Sequence, residues 1–416
     1  MTNSENTTRR RFLLHTAALG CSAAASPFVT PVTYAAAPWD NRLVVIILRG
    51  GMDGLDVVQP YGDRDFARYR PKLMKQTNPA DLDGYFALNQ NLARLMPLWK
   101  SGELAFAHAV STPYRDKRSH FDGQDLLEAG TGMDVGVGGV RDGWLNRMLS
   151  RMPGINAKTA FAVGRNDLII LNGDAPVSSW SPDSRLDLSE QGKSLLEFIY
   201  SGDPVFKSAG AGALEMAELM DIGADGITSL EDEDSGMMMA DMQKTMLRSG
   251  RAARAKALAK FTGERLNEDT RIAAFSIGGW DTHRSQSRGL KRALSELGEA
   301  VITLKATLGR NWQKTAVLAM TEFGRTAREN GTGGTDHGTG GMMVMAGGAI
   351  RGGQVYGNWP GLRERDLYQG RDLMPTGDVR AYGAWAMRGM FGLALNELET
   401  HVFPGLDMGN DPRILA

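Results

Sequence analysis

Apolar residues in this chain gather in short unbroken runs rather than alternating with polar ones. Arg42-Leu-Val-Val-Ile-Ile-Leu48 is continuous and largely β-branched, and Leu104-Ala-Phe-Ala-His-Ala-Val110 and Thr315-Ala-Val-Leu-Ala-Met320 follow the same pattern. Such runs predict strands covered on both faces, as in a parallel sheet. Shorter runs at Thr159–Val163, Ile272–Ile277 and Met342–Met345 predict three more. Helical patterns lie between them: a segment opening at Ser119 with a capping hydroxyl, and a longer one over Gln286–Leu308. This alternation predicts an α/β fold, a three-layer sandwich around a mostly parallel central sheet. The middle departs from it, with the acidic turn Glu231–Asp234, methionines at 237 to 239 and a run rich in Ala, Lys and Arg. A helical insertion is expected at about 190–265, with the methionines as apolar filler.

The N-terminus is a separate object. Thr8-Arg9-Arg10-Arg11-Phe12-Leu13 opens a modestly apolar run ending in small residues near Ala35 to Ala37, a pattern that resembles a twin-arginine export signal. His15 and Pro27 interrupt the run too much for a bilayer span. Residues 1–37 are therefore expected to be a signal peptide and 38–416 the mature domain, without an integral membrane span, periplasmic or secreted. The single cysteine, Cys21, lies in the signal, so the exported chain would carry no disulfide.

Charge narrows the partners. Lys and Arg total 47 against 48 Asp and Glu, so no basic excess points to nucleic acid or an anionic membrane. A small ligand is expected.

Reactive residues fall where such a ligand would sit. Ligand sites in open α/β sheets lie beyond the carboxyl ends of strands. Asp53 follows the first apolar run, Ser119 and His120 follow the second after a loop, Asp281 and His283 follow the run at 272 to 277, and Glu322 follows that at 315 to 320. Asp336 and His337 precede the last, within the glycine-rich GGTDHGTGG at 333 to 341. In extended backbone, Asp281 and His283 point the same way, an arrangement that suits a divalent cation. Asp and His together favour zinc or manganese over the all-oxygen sets of magnesium or calcium. His108, inside an apolar run, reads as a structural histidine. Ser119 at a helix start lies near amide N–H groups and the positive helix end, a setting for a phosphoryl or sulfuryl group, and equally that of an ordinary N-cap.

The segments LRGGMDGLD (48–56), RSHFDGQDLLEAGT (118–131), GGWDTH (278–283), TEFGRTARENGTGGTDHG (321–338) and VFPG (402–405) resemble the family known as domain of unknown function 1501, grouped with the alkaline phosphatase and sulfatase superfamily. The resemblance implies an alkaline phosphatase-like sandwich with one or two divalent metal ions at the sheet edge. It implies a metal-dependent hydrolase of phosphate or sulfate esters acting on a small anionic ester, with Ser119 as nucleophile. Asp53, Asp281, His283, Glu322, Asp336 and His337 would be metal ligands, and His120 and Arg325 substrate-binding residues. Phe323 stands where the superfamily has a histidine, which puts a complete two-metal site in question. Ser111-Thr-Pro-Tyr-Arg115 resembles a sulfatase motif and makes Ser111 a rival nucleophile. The other reading is a non-catalytic exported binding or assembly protein that keeps the fold, with an exported partner protein.

Overall fold

The computed structural model describes residues 39–133, 142–164, 168–180 and 238–416. The expected signal peptide and most of the expected insertion lie outside these residues, as do the side chains of the methionine cluster. In chain order the strands are β1 (Arg42–Arg49), β2 (Val58–Gln59), β3 (Ala80–Asp81), β4 (Ala87–Leu88), β5 (Leu104–Ser111), β6 (Ala160–Val163), β7 (Ser178–Trp180), β8 (Ile272–Gly278), β9 (Thr315–Met320), β10 (Gly341–Ala346), β11 (Val355–Tyr356) and β12 (Gly377–Asp378). The helices that matter below are α1 (His120–Ala129), α2 (Trp144–Leu149), α3 (Met238–Asn267), α4 (Gln286–Leu308) and α5 (Val379–Phe391).

Each of the six apolar runs forms a strand of one sheet, ordered β11-β5-β10-β9-β1-β8-β6-β7, with β12 also on β5. β1 lies near its centre. Leu43 to Leu48 of β1 are fully buried, and each such side chain contributes roughly 1.5–3 kcal/mol by leaving water. Leu43, Val45 and Ile47 join one core with α2 and α5, while Val44, Ile46 and Leu48 join the other with α3 and α4. The protein is thus a three-layer α/β sandwich whose unbroken apolar runs are explained by cover on both faces.

All pairings in this sheet are parallel except those of β10, which runs antiparallel to β9 and β5. Reversal of that strand brings its N-terminal end, Gly341, to the edge where β1, β5, β8 and β9 finish. The apolar pattern of Met342–Met345 carries no sign of direction, because both faces are covered either way. Among the described residues no helix is long and apolar enough to cross a membrane.

Candidate metal centre

Two close backbone approaches shape the edge. A Cβ on Gly334 would lie 2.3 Å from the Thr282 carbonyl oxygen, and one on Gly338 would lie 2.4 Å from the Arg325 carbonyl carbon. Only glycine lets the 333–341 turn lie against these two segments. An isolated bridge pairs Arg325 with His337, which fixes the imidazole beside the loop that follows β9.

Asp281 is the centre of the resulting cluster. Its Oδ1 lies 3.1 Å from His283 Nε2 and 3.4 Å from His337 Nε2, and its Oδ2 lies 3.5 Å from His120 Nε2. His283 Nε2 and His337 Nε2 are 2.9 Å apart. His120, Asp281 and His337 each offer an atom within 4.8 Å of the others and can hold a metal ion, with His283 against two of the three.

The opposite ring nitrogens set the tautomers. His120 Nδ1 donates to Glu322 Oε1 at 2.8 Å, His283 Nδ1 to Asp336 Oδ1 at 3.1 Å, and His337 Nδ1 to the Arg118 carbonyl at 2.9 Å. A carbonyl accepts only, and the two carboxylates are held ionised, so these nitrogens carry the protons and the three Nε2 atoms are left facing Asp281. Lone pairs 2.9 Å apart repel unless a proton or cation lies between them. His120 Nε2 is buried and makes no hydrogen bond of good geometry, only the 3.5 Å contact with Asp281 Oδ2, a setting open to an ion. Ligand-to-ligand edges of a tetrahedral zinc site with bonds near 2 Å are about 3.3 Å, close to the separations around Asp281. His120, Asp281 and His337 therefore fit a single divalent cation, with His283 beside it against Asp281 and His337.

Charge follows the same pattern. Without a cation, hydrogen bonds that the imidazole donates to the Asp281 and Glu322 carboxylates push His120 up to about 9, so a proton holds the place a cation would take. Burial would raise Asp281, but hydrogen bonds from His120, His337 and Arg325 hold it far below the usual carboxylate range. Burial likewise opposes ionisation of Glu322 and is outweighed by donors from His120 and Gln124. Asp336 is held low against its own burial by Asn330 and His283.

The sequence-predicted residues thus divide. Asp281, His283 and His337 come together as expected, and His120 joins them as a fourth donor instead of standing apart to bind substrate. Glu322 and Asp336 each turn an oxygen to a histidine Nδ1, which places them behind the imidazoles as orienting partners. Arg325 departs from the anion-binding expectation. Its guanidinium is fully buried and donates to the Gly50, Gly51, Thr335 and Trp280 carbonyls and to Asp281 Oδ1. It braces Asp281 and presents nothing to solvent.

Asp53 is also held elsewhere: 1% exposed, it pairs with Arg70 at 2.6 Å and accepts from Gln286 at 2.6 Å. Ser119 caps α1, its hydroxyl accepting from Asp122 N–H at 3.4 Å. Ser111 is buried at the end of β5, where it donates to the Thr112 carbonyl and accepts from Arg115. Phe323 is buried and stacks on His120 with centroids 5.0 Å apart, filling one side of the cluster with an apolar ring.

Sequence reasoning missed Gln124 and Asn330, the donors that hold Glu322 and Asp336. Gln124 was findable: it follows His120 by one helical turn, on the same face of α1. The Arg118 carbonyl, as a backbone group, leaves no mark in the sequence.

No curated protein matches the sequence. Among solved structures the chain is similar to the lipoteichoic acid synthase LtaP from Listeria monocytogenes, at 9% identity over 93% of this chain and 78% of that one, with a TM-score of 0.41. It is also similar to a mutant TAB5 alkaline phosphatase with Mg bound, at 11% identity over 76% of this chain and 94% of that one, with a TM-score of 0.33. A family model described as protein of unknown function (DUF1501) matches residues 93–381, which include all four donor residues and both orienting carboxylates, and the chain belongs to that family.

Proposed function

We propose that the protein is a metal-dependent hydrolase of phosphate or sulfate esters, exported through the twin-arginine route, with Ser119 as nucleophile. One observation carries the reading: three imidazoles commit their Nδ1 protons to oxygen acceptors and turn their Nε2 atoms to one carboxylate. This donor set suits zinc, with manganese next. A cation bound there supplies Lewis acidity toward the oxygens of an anionic ester.

Ser119 adjoins a donor residue in the chain and stands at the positive end of a ten-residue helix. In the cap contact the hydroxyl oxygen accepts, so the cap does not use the hydroxyl proton. Ser119 Oγ attacks phosphorus or sulfur, the bond to the leaving oxygen breaks, and water then cleaves the seryl ester. The positive N-terminal end of α1 would face the charge that develops on the transferred group.

A second reading, a binding protein without turnover, is favoured by Phe323 at the place of a second metal and by the capping role of Ser119. Elemental analysis of protein taken from its export route, paired with aryl phosphate and aryl sulfate hydrolysis, separates the two. The hydrolase reading expects about one zinc per chain and turnover abolished in Ser119→Ala, with metal content kept. Full metal and no turnover on either ester leaves the binding protein. Export is tested by Arg9→Lys with Arg10→Lys, which should hold the precursor in the cytoplasm.

A further inference from the structure

A cavity of about 450 Å³ opens between α5 and the 411–415 segment, and three of its lining residues are arginines: Arg351, Arg388 and Arg413. It lies at the far end of β10 from the metal centre, about 17 Å away along a six-residue strand. The backbone that builds it is well tied. Arg351 N–H donates to the Ile414 carbonyl at 2.8 Å, Ile350 bridges Leu415, and Ala349 N–H donates to the Thr315 carbonyl at the start of β9.

Charge in this cavity is unbalanced. Among the described residues, no carboxylate pairs with Arg351, Arg388 or Arg413. The one acid in the lining, Asp411, spends Oδ1 on the Arg413 N–H at 2.7 Å. Arg388 is occupied on one side by the Leu393 carbonyl at 3.3 Å, while the side chains of Arg351 and Arg413 are exposed. Arg413 is held at φ 55°, the left-handed region that an arginine enters at a cost and a glycine enters freely. The chain thus keeps a cation at a position where backbone alone would favour glycine.

One wall is flat and apolar. Trp385 and Gly389 stand one turn apart on the same face of α5, and the Arg388 guanidinium lies over one face of the indole, 6.0 Å from its centroid, so a cation and the ring line the wall together. The indole N–H is tied to the Met408 carbonyl at 3.0 Å, which fixes the ring plane, and Leu393 and Ile414 complete the apolar surface. Guanidinium groups recognise phosphate and carboxylate oxygens in pairs, and a fixed indole offers a face for stacking.

The geometry points to a second binding site, separate from the metal centre, for a small anion that joins a phosphoryl or carboxyl group to an aromatic ring. It does not depend on the hydrolase reading. The volume is in the range of ordinary small-ligand pockets.

The test is calorimetric titration of the mature chain with 1-naphthylmethylphosphonate, a probe that carries both features and has no ester to cleave. The site predicts that Arg351→Gln with Arg413→Gln weakens binding roughly tenfold or more. The melting temperature should stay unchanged, because neither side chain has a partner to lose. His337→Ala should leave this binding in place, and methylphosphonate, which lacks the ring, should bind more weakly. Equal affinity in the double variant, loss of all binding in His337→Ala, or no heat with the wild-type chain overturns the proposal. Methylphosphonate binding as tightly as the naphthyl probe overturns its aromatic half.

Discussion

Asp53 and Asp281 are carboxylates beyond neighbouring strands of one sheet, each within reach of a buried arginine, yet their surroundings differ in kind. Asp53 is shut in with Asp56, and a single cation, Arg70, answers both. Gln286 donates to the two carboxylates and accepts from Thr282 and Thr335. Asp281, half-exposed, has Arg325 behind it and three imidazole Nε2 atoms in front. The two clusters are back to back. In the extended segment 281–283 the outer residues face the metal centre and Thr282 faces the closed network, and Thr335 does the same beside Asp336 and His337. Polarity alone therefore does not mark a functional site. What separates the clusters is that one meets its carboxylates with a buried guanidinium and an amide, leaving Asp53 Oδ1 without a partner among the described residues, and the other turns three imidazole Nε2 atoms to one half-exposed carboxylate.

The largest break is expected at the donors. His337→Ala or Asp281→Ala should abolish metal binding and lower ester hydrolysis by roughly a thousandfold or more, as loss of a group acting at the reacting centre does. Metal stoichiometry and turnover should fall together, and a chelator should lower the melting temperature of the wild-type chain but not of either variant. Retained stoichiometry in both variants would show that the cluster is no metal site.

Next comes the closed network. Arg70→Met leaves Asp53 and Asp56 without a cation and should destabilise the fold by roughly 3–5 kcal/mol, read as a lower urea midpoint. If the comparison holds, metal content per folded chain stays near that of wild type. A variant that loses its metal while keeping stability would move Asp53 into the centre, the role its place in the sequence predicts.

A smaller effect belongs to the orienting carboxylates. Glu322→Gln and Asp336→Asn keep the shape and weaken the hold on a histidine tautomer, so metal affinity should fall roughly 10–100-fold in each. Competition with a chromophoric chelator measures it. No change in either variant would mean that the imidazoles are held by packing alone.

The smallest effect comes from a histidine outside both clusters. His108 donates from Nε2 to the Val58 carbonyl and accepts at Nδ1 from Ala109 N–H, so its neutral form is fully paired. Burial lowers it to about 4 from the ordinary 6.5. Above pH 6.5 neither folded nor unfolded chain binds this proton. Below it the unfolded chain does first, so stability falls as pH drops toward 4, by at most about 1.4 kcal/mol per unit. Urea midpoints between pH 7 and 5 should fall less steeply in His108→Gln than in wild type.

Much of this was legible in the sequence. Six unbroken apolar runs predicted six strands and the three layers, because full burial on both faces leaves a run no polar position. Strand-end placement led to the edge where Asp281, His283 and His337 come together, since parallel strands finish at one edge. Three things were hidden. The direction of β10 is not written in a strand covered on both sides. Glu322, Asp336 and Arg325 read as ligands or substrate contacts because sequence shows that a charge is near the edge but not which way it turns. His120 read as a substrate contact because a residue on the first turn of a helix can face either way, and the stacking on Phe323 that turns it inward joins residues far apart in the chain.

The reversal of β10 has one more consequence. The chain leaves the sheet at the end of β9 and re-enters beside it, on the adjacent strand, about 4.8 Å away. Residues 321–340 therefore form a detour with fixed and neighbouring ends, and that detour carries His337, Asp336, Glu322 and Arg325. Its length and content can be altered while the sheet stays as it is. For protein engineering it is a cassette: exchange of this one segment would replace one of the four clustered donors, His337, together with Arg325 and both carboxylates that orient histidines, while the strands remain untouched.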